Sequence, residues 1–233
     1  MAAERHLIVN ADDLGYTEGV NAGIFEAHSR GVVTSASLMV RRSAARQAIR
    51  LSTDYPRLAI GLHIDIGQWD YENGEWTLAY AHCSPEDEAA VERECAAQLE
   101  AFRGLLGRDP THLDSHQHVH RGEPVAAVAA RMASRLGVPL RGAGIRYEGG
   151  FYGQTGKGEP YAEGISVEHL LELIRSLPPG WTEIGCHPGI GVGEGETTYA
   201  HEREGELEAL CDPRIRSAIE AQGVQLRSFA AVP

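Results

Sequence analysis

An excess of positive charge is the first thing this chain lacks. Its 233 residues carry 21 Lys and Arg against 33 Asp and Glu, for a formal charge of −12. That sign argues against a nucleic-acid partner, because binding a phosphate backbone requires a basic footprint. It gives no support for docking on anionic lipid either. Long apolar runs are also missing: no window approaches the roughly 18 apolar residues of a membrane span, so no membrane partner is expected. The opening MAAERHLIVNADD has no basic region followed by an apolar stretch of signal-peptide length. The four cysteines (Cys83, Cys95, Cys186, Cys211) form no CxxC pair. These absences together predict a cytoplasmic location and free thiols. No composition shift marks a linker, and no repeat or low-complexity tract occurs, which predicts a single domain over residues 1–233.

What is present is alternation. Apolar runs at 6–11, 33–40, 58–67, 111–116, 138–145, 181–189 and 224–229 read as strands. Helical patterns fall between them at 17–31, 43–56, 84–107, 123–137 and 167–178, with one or two helices around Pro213. Ser84, followed by Glu86 and Asp87, is the expected N-cap of the longest helix. The segment after strand three, QWDYENGEWTLAYAHC, reads as a turn-rich aromatic insertion, and 148–164 and 190–204 read as loops. About seven strand–helix repeats predict a parallel sheet covered by helices, fitting an incomplete or distorted TIM-like (β/α) barrel better than an open doubly wound sheet.

The polar exceptions fall at strand ends. Asp12 and Asp13 close strand one, and His63 lies in strand three. Asp114 and His116 close strand four, within the histidine-rich HLDSHQHVH, and His187 closes strand six before Pro188 and Gly189. Each has an ordinary reading: a helix cap or turn for the aspartates, a hydrogen-bonded core histidine for His63, a solvated loop for the histidine cluster. Their joint delivery to the carboxyl rim of a parallel sheet, where such folds bind ligands, points to a shared divalent cation. Asp and His ligands favour Zn²⁺, since Mg²⁺ takes fewer imidazoles. A rival ligand set stays open. A helical turn after Ser115 would pair His116 with His120, whereas an extended one would align Asp114, His116, His118 and His120.

The ordered motifs NADDLG, GLHID, HLDSHQHVH and CHPG resemble the YdjC-like carbohydrate deacetylases, over nearly the whole chain. The resemblance implies an incomplete (β/α) barrel that hydrolyses the acetyl group from an N-acetylated sugar of the N-acetylglucosamine type. It implies Asp12 as general base, Asp13, His63 and His116 as metal ligands, and His187 as general acid. It matches Arg141 to a family arginine expected to hold a catalytic carboxylate. The family is commonly described with Mg²⁺, so one divalent ion, Zn²⁺ or Mg²⁺, is carried forward. Asn10 and Asp114 are candidate partners that orient the ligands. Trp69, Tyr71, Trp76 and Tyr80 are expected to pack the insertion down, with stacking on a sugar as the alternative. A phosphoesterase on the same barrel and a non-catalytic sugar-binding module are the rival functions, and a homo-oligomer is the default expectation.

Overall fold

The computed structural model describes residues 4–72, 74–193 and 197–233. Seven parallel strands form the main sheet: β1 (Arg5–Leu14), β2 (Ser35–Leu38), β3 (Ala59–Ile64), β6 (Leu113–Ser115), β7 (Arg146–Glu148), β8 (Gly180–Cys186) and β9 (Gln225–Leu226). Their order is β6-β3-β2-β1-β8-β7. β1 lies at the centre with β8 along one side. Its other side is shared: β9 pairs with its first residues and β2 with its last. The sheet curls into the expected distorted (β/α) barrel. Helices α1 (Glu18–Ser29), α2 (Ala45–Ser52), α3 (Glu88–Leu106), α4 (Val125–Leu136), α5 (Val167–Arg175), α6 (Glu202–Cys211) and α7 (Pro213–Ala221) lie between strands in sequence.

Local chemistry sets these boundaries. Thr17 accepts from the Val20 amide at the start of α1, and Asp212 precedes a proline at the start of α7. Gly137 closes α4 in the left-handed conformation (φ 66°) that a Cβ would disfavour. β1 is buried from Leu7 onward and apolar on both faces at Leu7, Ile8 and Val9, as a central parallel strand covered on both sides should be. No helix among the described residues is long and apolar enough to cross a membrane, and all four cysteines are free.

Several expectations need correction. The insertion after β3 is a β-hairpin, β4 (Gly67–Glu72) with β5 (Glu75–Ala81). Its alternating WDYE and WTLAY flank an Asn–Gly pair, a hairpin signal that a count of turn residues alone misreads. The predicted strand 138–145 is reduced to one bridge, Leu140 to Leu113, and the ladder resumes as β7 just beyond its predicted end. Gly142 and Gly144, both at φ 78°, turn the chain between those two pieces. Asp87 rather than Ser84 caps α3, accepting from the Ala90 amide, while Ser84 donates to Glu86.

His112, the first histidine of the cluster, belongs to the core. It is fully buried and stacked on Phe229 at 3.9 Å. It fills the space left by Gly61, where an added Cβ would come within 2.4 Å of the imidazole. Burial pushes its pKa down to about 4. The unfolded chain, near 6.5, then binds more protons between those values, so stability rises with pH across the window and is lost on acidification. Thermal unfolding measured from pH 7 to pH 4 should show a flatter fall for His112→Gln than for the wild type. Equal slopes would show that His112 does not contribute.

Candidate active site

Two consecutive residues of a strand normally point to opposite faces. Asp12 and Asp13 instead both line one cavity of about 590 Å³. The cause is a register shift in β1 between Ala11 and Leu14, with Asp13 at φ 66°, a left-handed conformation unusual for a residue other than glycine. The neighbouring strands complete the rim by register. Ala11 pairs with Cys186, which sets His187 beside Asp12, and the His187 Nε2 lies 3.9 Å from Asp12 Oδ2. His63 pairs with Asp114 across β3 and β6, and its Nδ1 lies 2.8 Å from Asp114 Oδ1.

Asp13, His63 and His116 converge. Asp13 Oδ1 is 3.5 Å from His63 Nε2 and 3.2 Å from His116 Nδ1. One ligand atom from each residue lies within 4.8 Å of the others. Asp13 Oδ1 is buried and makes no hydrogen bond, which fits a site built for a cation. Burial opposes charge on His63, but Asp114, aided by Asp13 and Asp12, pushes its imidazole up to about 10. Asp12, His63 and Asp114 form a second possible group, but its two carboxylates are already engaged by Arg141.

Arg141 follows the Leu140 bridge and is itself fully buried. Its Nη1 and Nη2 each donate to Asp12 at 2.6 Å, and its Nε donates to Glu183 at 2.8 Å. Nη2 also lies 2.9 Å from Asp114 Oδ2. Burial raises the Asp12 carboxyl, yet Arg141 overcomes this and holds it below the usual range. Asn10 adds a 2.8 Å bond to Asp12 rather than to a candidate ligand, while Asp114 bonds His63 at 2.8 Å.

The turn after His116 takes neither expected form. Gln117 and His118 adopt left-handed φ values of 49° and 55°, which breaks both the helical pairing of His116 with His120 and the extended alignment of Asp114, His116, His118 and His120. His120 Nδ1 pairs with Ser115 Oγ at 2.6 Å and His118 Nε2 with the Tyr147 hydroxyl at 3.2 Å. Neither belongs to a convergent group among the described residues.

Sequence reasoning missed Arg203 and Glu206. Both are buried on one face of α6, three residues apart. Arg203 Nη2 donates to Asp13 Oδ2 at 2.7 Å, and burial notwithstanding, this cation holds Asp13 well below the usual carboxylate range. Glu206 accepts from the His187 amide and from the Tyr199 hydroxyl. Its Oε1 lies 3.6 Å from His187 Nδ1, and its charge raises the His187 pKa against the effect of burial. The available signal was a charged i, i+3 pair, which lay across the boundary assigned at residue 205.

The sequence matches the family described as YdjC-like protein over residues 6–221, and the chain belongs to that family. It is 35% identical to the carbohydrate deacetylase of Geobacillus stearothermophilus, covering 97% of each chain. It is 34% identical to the chitooligosaccharide deacetylase of Citrobacter koseri, covering 98% of this chain and all of that one (100%). Among solved structures it resembles an Enterococcus faecalis V583 protein named for cellobiose-phosphate cleavage. There the TM-score is 0.81 at 27% identity, over 97% of this chain and 98% of the other.

Replacing Arg141 by alanine strands three buried carboxylates. Urea unfolding at pH 7 should show a loss of about 3–5 kcal/mol, and the deficit should narrow at acidic pH as those groups take up protons. A loss below 1 kcal/mol would show that Arg141 does not hold them.

Proposed function

We propose that the chain, acting as a single barrel domain over residues 1–233, is a metal-dependent hydrolase that releases acetate from an N-acetylated sugar of the N-acetylglucosamine type. The observation that carries this reading is that Asp12 and His187, 3.9 Å apart at their nearest polar atoms, line the same cavity as the convergent Asp13, His63 and His116. The relatives named as deacetylases support it. A divalent ion held by those three residues would supply Lewis acidity toward water and the acetyl oxygen, and one oxygen with two imidazoles favours Zn²⁺ over Mg²⁺.

The rest is done by the chain. Asp12 stays ionised because Arg141 holds its pKa down, so it is a base ready at neutral pH. It takes the proton of the attacking water. His187 favours the protonated form because Glu206 faces it, and it gives that proton to the departing sugar nitrogen. Environments that push two titratable groups in opposite directions are how one site separates acid from base. A phosphoesterase reading is weaker: Arg141 and Arg203 are held by carboxylates, and Arg146 pairs with Glu148 at 3.4 Å. No cationic cluster remains from these residues to receive a phosphate.

The test is metal analysis of the purified protein, followed by comparison of acetate release from N-acetyl sugars with phosphate release from a generic ester. His187→Ala should lose roughly 10²–10⁴-fold in turnover and keep its metal, while Asp13→Ala should lose the metal. Loss of metal from the His187 variant would make it a ligand and overturn the assignment.

A further inference from the structure

The β4–β5 hairpin contributes Gln68, Trp69 and Trp76 to the wall of the cavity. At its base it is well anchored. The Tyr80 hydroxyl donates to both oxygens of Asp65, at 3.0 and 2.9 Å, and the Arg42 guanidinium lies 4.7 Å from the Tyr80 ring. Farther out, both polar groups of the Trp69 backbone are bound by one side chain. The Trp69 amide donates to Gln117 Oε1 at 2.9 Å, and Gln117 Nε2 donates to the Trp69 carbonyl at 2.7 Å. The Gln117 amide thus stands in for one residue of an adjacent strand on the open edge of β4. A register irregularity falls at this point, between Gln68 and Trp69.

Gln117 is also one of two successive non-glycine residues in the left-handed region, directly after His116. Such conformations persist only where the surroundings over-determine them. The two hydrogen bonds to Trp69 are that surrounding constraint, and they connect the hairpin directly to the corner carrying His116.

We propose that Gln117 is a positioning residue: it ties the hairpin to the His116 corner so that Trp69 and Trp76 form a wall against which the apolar face of a sugar ring stacks. The sugar part rests on the hydrolase reading above; the tether does not. Trp76 is 59% exposed and makes an edge contact with Tyr71 at 5.3 Å. It is therefore held in place but still open to a ligand. An indole face paired with ring C–H groups is the interaction such a wall offers.

Gln117→Gly separates the two roles of this position, because glycine accepts the left-handed backbone but cannot make either bond. Hydrogen exchange over residues 67–81, steady-state kinetics on an N-acetyl disaccharide and metal content are measured for Gln117→Gly, Gln117→Ala, Gln117→Glu and Trp76→Ala. In the glycine and alanine variants, hairpin exchange should quicken while the core is unchanged. KM should rise about tenfold with kcat within about threefold and metal retained. Gln117→Glu keeps the acceptor for the Trp69 amide and should recover part of the effect. Trp76→Ala should raise KM by a similar factor. Wild-type exchange and KM in Gln117→Gly would overturn the proposal and leave the residue a backbone role only. Loss of kcat together with metal would also overturn it, since the effect would then run through His116. If the wild type turns over no N-acetyl sugar, the hydrolase reading and the stacking wall fall, while faster hairpin exchange still supports the tether.

Discussion

A single buried guanidinium organises the floor of this cavity. Arg141 meets Asp12, Asp114 and Glu183 at once, each arriving from a different strand or strand end. Carboxylates removed from water are tolerable only when paired. The spacing of β1, β6 and β8 at this level is therefore fixed by the reach of one planar fork, and the groups above it inherit that spacing. Asp114 passes it to His63 and His63 to Asp13, while Asp12 sits opposite His187. Burial, with the neighbouring charges of Asp114 and Asp12, leaves Glu183 with a pKa raised to about 7 despite its contact with the cation.

A second cation closes the other side. Arg203 holds the Asp13 oxygen that faces away from the histidines, and its Nη1 also donates to the His187 carbonyl at 3.2 Å. Each of the two adjacent aspartates thus has its own arginine, one from the end of a strand-like segment and one from a helix. That division gives the two neighbouring carboxylates different surroundings. Asp12 is gripped through both oxygens, whereas Asp13 keeps Oδ1 without a hydrogen-bond donor.

Much of this is legible in the sequence. Strand ends could be read because central parallel strands are apolar and their polar exceptions stand out, which found Asp12, Asp13, His63, His116 and His187. Partners drawn from helices were not legible. Arg203 and Glu206 sit in a charged stretch, HEREGELE, that reads as solvated surface until the barrel buries it. The hairpin was missed because turn residues outweighed a short alternation. The left-handed turn at Gln117 and His118 could not be read either, because no glycine marks it and it is held by partners distant in sequence, Trp69 for Gln117 and Tyr147 for His118.

The seating of His112 in the space over Gly61 has a consequence for how this sequence can change over generations. A side chain at 61 meets the imidazole well inside van der Waals contact, and overpacking of that kind is penalised. Substitution at 112 by something smaller opens room first, after which 61 is free to grow. The opposite order passes through an overpacked protein, at a cost of about 1–3 kcal/mol. The two sites should therefore drift as a pair, in one direction of travel only.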